Sequence, residues 1–125
     1  MKVEDIMTTK LFSVGAGANL KAVMKLMANH NVRSVLVKPK SANDIPGVIS
    51  IRDVVFKIIA KGVDPDKVKV GTLASKPLIF VDKDMDIKHA AMMMNRFNIA
   101  RVWVKEGNTV VGVVALLDVL KAALK

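Results

Sequence analysis

Two stretches of this sequence hold residue types that suit a hydroxyl-rich, anionic small molecule, at the same spacing. The first is Gly47-Val48-Ile49-Ser50-Ile51-Arg52-Asp53, and the second is Gly112-Val113-Val114-Ala115-Leu116-Leu117-Asp118. A glycine inside a strand has no packing value of its own and often marks the close approach of another group. A serine at a helix start aims its hydroxyl where backbone N–H groups attract anions. An aspartate three residues on accepts two hydrogen bonds, and vicinal ribose hydroxyls donate that pair. The pattern suits a nucleoside, with ribose at the carboxylate and phosphate toward the N–H groups. Ordinary capping accounts for the same residues, with Ser50 as N-cap and Asp53 at the third helical position. Both readings stand at this point.

Two further clusters are doubled in the same way. Val32-Arg33-Ser34 and Ile99-Ala100-Arg101 each place an arginine at the entrance of an apolar strand. A guanidinium there either meets a phosphate through a charge-assisted fork or stays solvated. Met7-Thr8-Thr9-Lys10 and Ala74-Ser75-Lys76-Pro77 combine hydroxyls and a lysine, which turn chemistry explains equally well. No catalytic set is found. His30 and His89 are the only histidines, and neither has a partner at metal-ligand spacing. The Met92-Met93-Met94 run sits on a helical pattern whose apolar face includes Met94, so it reads as core packing. There is no P-loop and no nucleophile elbow. The expectation is a binding protein, not an enzyme, with no metal.

The elements that position these residues are written twice. Residues 3–38 lie over 70–105 at an offset of 67. Val3, Leu11, Val14, Lys21, Asn31, Val35, Val37 and Lys38 meet Val70, Leu78, Val81, Lys88, Asn98, Val102, Val104 and Lys105. The offset then falls to 65, so that Asn43, Gly47, Val48, Asp53 and Val54 meet Asn108, Gly112, Val113, Asp118 and Val119. Each half reads strand, helix, strand, strand, helix. Leu11–Val14 is a short apolar strand, and Asn19, with Asp86 as its counterpart, is the helix N-cap. Apolar residues then recur at helical spacing, and Asn31 and Asn98 follow the last turns, where asparagine tolerates a left-handed conformation. Ser34–Lys38 and Arg101–Lys105 read as strands. Gly47–Ile51 and Val110–Leu116 are nearly continuous apolar runs, as in strands buried on both faces. A second helix follows, with Asp53 or Asp118 in its first turn. Gly62-Val63-Asp64-Pro65-Asp66 breaks the chain between the halves.

At 125 residues the chain has the size of one compact domain, and halves of about sixty residues are expected to share a core. Hydrophobic residues make up 52% of it, too many for disorder. No apolar run approaches the roughly 18 residues of a membrane span, and no signal peptide is recognised. Cysteine is absent, which excludes disulfide and thiolate chemistry and fits a cytoplasmic location. Lysine and arginine number 20 against 11 aspartate and glutamate, a net charge of +9 that favours anionic partners. Sixteen of the 20 are scattered lysines, and aromatic residues for base stacking are few, so a nucleic-acid-binding protein is the weaker alternative.

The order, spacing and duplication of these clusters resemble a tandem pair of cystathionine-β-synthase (CBS) domains, a Bateman module of the stand-alone prokaryotic or archaeal type. Val3-Glu4-Asp5-Ile6-Met7-Thr8 looks like the family's opening segment, and Gly47-x-x-Ser50-x-x-Asp53 like its ligand motif; Gly112-x-x-Ala115-x-x-Asp118 lacks the hydroxyl. The resemblance implies an α/β (α+β layered) fold of two pseudo-twofold-related β-α-β-β-α repeats packed face to face. Residues 1–61 would be the first repeat, 62–69 a linker and 70–125 the second. It implies two clefts for adenine nucleotides or adenosyl compounds: AMP, ADP, ATP, S-adenosylmethionine or methylthioadenosine. One cleft would take Ser50 and Asp53 with Ile79, Ile99, Ala100 and Arg101. The other would take Ala115 and Asp118 with Phe12, Val32, Arg33 and Ser34. Apolar side chains would hold the adenine and each aspartate a ribose. The lost hydroxyl at Ala115 predicts that phosphorylated ligands fill the Ser50 cleft first. No covalent cofactor or membrane is implied. The expected partners are the ligand, a second copy in a homodimer and an effector protein, expected on another chain because the sequence stops directly after its last helix. A dimerisation module with empty clefts is the remaining alternative.

Overall fold

The computed structural model describes residues 1–41, 44–75 and 78–125. Asn43, paired above with Asn108, and Lys76 and Pro77 of the second hydroxyl-bearing segment lie outside the described residues. The chain forms two compact units, one of residues 12–78 and one of residues 1–11 with 79–125.

In the unit of residues 12–78, strand β1 (Ser13–Val14) leads into helix α1 (Leu20–His30), strands β2 (Ser34–Val37) and β3 (Gly47–Ser50), and helix α2 (Ile51–Val54). β1 pairs parallel with β2, and β2 antiparallel with β3. The Asn19 side chain accepts from the N–H groups of Lys21 and Ala22, which fixes the start of α1. Asn31 ends it at φ 53°, in the left-handed region. One face of α1 buries Leu20, Val23 and Met27 against Val35, Val37 and Ile49 of the sheet.

The unit of residues 1–11 and 79–125 repeats this plan. Strand β4 (Phe80–Asp82), helix α3 (Ile87–Phe97), strands β5 (Arg101–Glu106) and β6 (Thr109–Ala115), and helix α4 (Leu116–Ala123) follow in order. Asp86 caps α3, and Asn98 ends it at φ 51°. Val81, Ala90, Met94, Val102, Val104 and Val114 form the core. The register recurs as well: Val37 faces Gly47 as Val104 faces Gly112, and Ser34 faces Ser50 as Arg101 faces Ala115.

The compact units and the sequence repeats are not the same stretches of chain. Val3, at the start of the first copy, is buried in the core built from the second copy; Val70, its counterpart, is buried in the core built from the first. Val3 N–H donates to Met85 O and Thr8 N–H to Val113 O; Val70 N–H donates to Ala18 O and Ser75 N–H to Val48 O. Burying one valine contributes about 1.5–3 kcal/mol, so each opening segment is a real part of the unit that receives it. At Gly112 a Cβ would lie 2.5 Å from Met7 Sδ and 3.1 Å from Thr8 O, so the group that approaches this strand glycine is the chain's own opening segment.

Three expectations need correction. β1 spans only Ser13–Val14, and Leu11 belongs to the other unit. β3 and β6 are not buried on both faces: buried and half-buried residues alternate along them, with Val48 and Val113 half-buried. The helix after β3 is also irregular. α2 passes into a π-helical turn, Val55–Ile59, closed by Ala60 N–H to Val55 O at 2.8 Å. Val54 of α2 and Ile58 of the π turn are buried in the core and Lys57 stays outside, whereas in regular α4 the counterpart of Lys57, Ala122, is buried.

Candidate functional site

Each unit gathers its candidate residues at one end of its sheet. In residues 12–78, β2 begins at Ser34 directly opposite the last residue of β3, Ser50. Arg33, one residue earlier, gives its carbonyl to the N–H of Ile51 at 3.0 Å, tying the strand entrance to the start of α2. Arg101 faces Ala115 across the equivalent pair, and Ala100 O accepts from Leu116 N–H at 3.1 Å. Arg33 is exposed and Arg101 half-buried, and neither guanidinium has a carboxylate partner among the described residues.

The two aspartates are held differently. Asp53 Oδ2 accepts from the Ser50 hydroxyl at 2.9 Å and from Ser50 N–H at 3.2 Å, while Asp53 N–H donates to Ser50 Oγ at 3.1 Å. Asp53 Oδ1 lies 3.4 Å from Lys57 Nζ. The capping arrangement is therefore fully formed here. A carboxylate only accepts, so the Ser50 proton is committed to Asp53, and a phosphate would have to turn the hydroxyl away. Asp118 Oδ2 accepts from Ala115 N–H at 2.8 Å, and its Oδ1 has no protein partner among the described residues.

The apolar candidates lie beside these polar groups. Phe12 stacks at a tilt on His30, ring centroids 4.8 Å apart, and both Phe12 and Val32 are partly buried and pack against the core of their unit. Ile79 and Ile99 do the same in the other unit, and Ile79 O accepts from Trp103 N–H at 2.9 Å. Trp103 was not among the sequence candidates. It is buried and alternates onto the same strand face as Arg101, a placement readable from period-two spacing once the strand is known. Phe12, Val32, Arg33, Ser34, Ser50 and Asp53 thus share the unit of residues 12–78, and Ile79, Ile99, Ala100, Arg101, Ala115 and Asp118 share the other.

A family model described as CBS domain matches twice, over residues 3–60 and 70–125. The chain belongs to the CBS domain family. It is a tandem CBS pair, an architecture that is generally regulatory and ligand-binding. Hypoxic response protein 1 of Mycobacterium tuberculosis is 29% identical over 119 residues, covering 94% of this chain and 81% of that protein. An uncharacterized protein of Methanopyrus kandleri is 31% identical over 96 residues, 76% of this chain, which spans about half (48%) of that relative. Among solved structures, a hexameric CBS-CP12 protein from bloom-forming cyanobacteria matches with a TM-score of 0.87 at 27% identity, over 96% of this chain and 69% of that one. These likenesses run through both CBS repeats and agree with the α/β architecture of each unit. No helix among the described residues is long and apolar enough to cross a membrane.

Proposed function

We propose that this tandem CBS pair is a ligand-sensing module that binds an adenine nucleotide or adenosyl compound at the sheet ends carrying Asp53 and Asp118, and that it regulates a partner protein. The observation that carries the reading is the open oxygen of Asp118. Capping occupies one carboxylate oxygen and leaves the other for a ribose hydroxyl. Arg33 and Arg101, without carboxylate partners among the described residues, supply cations for a phosphate at the strand entrances. No step of bond chemistry is assigned to the module.

The chain self-associates in this reading, as a homodimer through its helices. Phe56 and Ile59 on the π turn, and Leu116, Leu117, Leu120 and Leu124 on or just after α4, are exposed. A groove of about 540 Å³ beside α2 is lined by Met24, Met27, Val54, Val55 and Ile59. Exposed apolar rows of this kind mark association surfaces. The solved structure of hypoxic response protein 1 is described with two coordinated zinc ions. Zinc is not carried over, because this chain lacks cysteine and its described residues include no group of three or more histidine, aspartate or glutamate side chains able to hold a metal.

A panel of AMP, ADP, ATP, S-adenosylmethionine and methylthioadenosine tests the function by thermal shift and calorimetry. Trp103, the only tryptophan, provides an independent signal from the strand that carries Arg101. At least one compound should raise the melting temperature and alter Trp103 emission. If none does either, the module does not sense adenosyl compounds.

A further inference from the structure

We propose that Lys57 is a built-in competitor for the ligand at Asp53, and that it makes this site selective for phosphorylated over neutral nucleosides. The proposal rests on the nucleoside reading above. Asp53 and Asp118 hold the same place in the two repeats, yet only Asp53 has both oxygens engaged. Ser50 takes Oδ2, and the Lys57 ammonium sits 3.4 Å from Oδ1, the oxygen whose counterpart on Asp118 has no protein partner among the described residues.

The difference lies in the helix that follows. Lys57 is four residues after Asp53, the spacing at which a helical carboxylate and a following lysine meet. The π turn from Val55 to Ile59 puts Ile58 into the core and keeps the Lys57 side chain half-exposed beside the carboxylate. At the same position the second copy has Ala122, which is buried and carries no charge. The second copy carries Lys121 three residues after Asp118, but it makes no ion pair with Asp118 among the described residues, so only the first copy holds its own cation on its aspartate.

The consequence depends on the ligand's charge. A neutral nucleoside must take Oδ1 from the ammonium and gains nothing from the displaced cation. A phosphorylated nucleoside takes the same oxygen, and the released ammonium is then available to its phosphate. Lys57 thus acts against adenosine and in favour of AMP at Asp53. The Asp53 side chain is only 18% exposed, but the lysine is half in water, so the pair has the modest strength of a surface ion pair. The expected effect on affinity is about two- to fivefold.

Calorimetry with adenosine and AMP on Asp118→Asn protein tests this. Asparagine keeps an acceptor for Ala115 N–H and leaves Asp53 as the only carboxylate of the pair. Adding Lys57→Met should tighten adenosine by about two- to fivefold and lower the preference for AMP over adenosine, whereas Lys57→Arg should leave both values unchanged. A cycle of Lys57→Met and Asp53→Asn in the otherwise unaltered chain serves if Asp118→Asn protein does not fold, and the effect of Lys57→Met should vanish once Asp53 is neutral. Adenosine affinity that is unchanged or weaker in Lys57→Met, or a gain that survives Asp53→Asn, overturns the role of Lys57. Failure of the unaltered chain to bind either adenosine or AMP instead removes the nucleoside reading, and this inference with it.

Discussion

The hydroxyl of Ser50 donates to the carboxylate of Asp53 at 2.9 Å and accepts the Asp53 backbone N–H at 3.1 Å. The pair closes the start of α2 on itself, and the same two residues are two of the three that define the candidate ligand motif. Capping and recognition are thus served by one set of atoms, and a ligand at Asp53 must exchange with contacts already made. At Ala115 and Asp118 the exchange is smaller, because only the Ala115 N–H is engaged.

Asp118→Ala should therefore weaken adenosyl-ligand binding at its own site by about 1.5–3 kcal/mol per hydrogen bond lost, against a stability cost of about 0.3–1 kcal/mol from the missing charge at the helix N-terminus. Asp53→Ala should act in the same direction. Calorimetry and thermal melts on both variants separate the two effects. Equal AMP affinity in wild type and in both variants would remove the aspartates from ligand binding.

Ala115→Ser should stabilise the protein by about 0.5–2 kcal/mol, the usual gain of a hydroxyl N-cap over alanine. The backbone at Ala115 (φ −104°, ψ 166°) matches that at Ser50 (φ −110°, ψ 160°), so serine needs no rearrangement there. Ser50→Ala should lose a similar amount. Denaturant midpoints compare the two directly, and no change in either variant would show that the Ser50–Asp53 geometry adds nothing to stability. The same variants address the inequality of the two sites. If the hydroxyl reaches phosphate despite its bond to Asp53, Ala115→Ser narrows the difference in AMP affinity between the sites; if it stays with Asp53, the difference persists.

Two glycines should respond unequally to alanine. A Cβ at Gly71 would lie 2.7 Å from the backbone oxygen of Ala16, which cannot move without disturbing the chain. A Cβ at Gly112 would meet chiefly the thioether of Met7, which can swing aside. Gly71→Ala should cost about 1–3 kcal/mol and Gly112→Ala less, with Met7→Ala partly relieving the latter in the double variant. Chemical denaturation gives the order, and a larger loss at Gly112 would contradict the packing described for the opening segment.

Charge placed on the exposed helices should abolish self-association. Leu120 and Phe56 are 60% and 54% exposed, so Leu120→Glu and Phe56→Glu burden the folded chain little. Light scattering should show a dimer for the wild type and a smaller particle for each variant, with far-UV circular dichroism unchanged. A wild-type monomer at all practical concentrations would rule out the helical homodimer.

Much of each unit was legible because it rests on local chemistry. Asn19 and Asp86 cap where their side chains reach the next N–H groups, and Asn31 and Asn98 end their helices in the left-handed conformation that asparagine tolerates. β-Branched residues and nearly continuous apolar runs marked the strands, and the offsets of 67 and 65 reappear unchanged in the strand registers. The boundaries of β1 and the π turn were less accessible. A two-residue strand carries too little pattern, and a single widened turn leaves the apolar spacing of Ile51, Val54, Val55 and Ile58 helical to the eye.

The sequence by itself determined the duplication, the element order of each copy, the caps and the identity of the Asp53 and Asp118 pair, since all of these follow from residue type and spacing along the chain. Only the tertiary structure decided which core each opening segment joins. Val3 and Val70 sit in nearly equivalent surroundings, so nothing local tells the chain that Val3 belongs with Val81 and Met94, or Val70 with Leu20 and Ile49. Long-range burial and the backbone bonds of Thr8 to Val113 and Ser75 to Val48 make that choice. The ion pair at Asp53 is decided in the same way. The spacing of Asp53 and Lys57 permits it, but the packing of Ile58 into the core is what leaves the lysine beside the carboxylate.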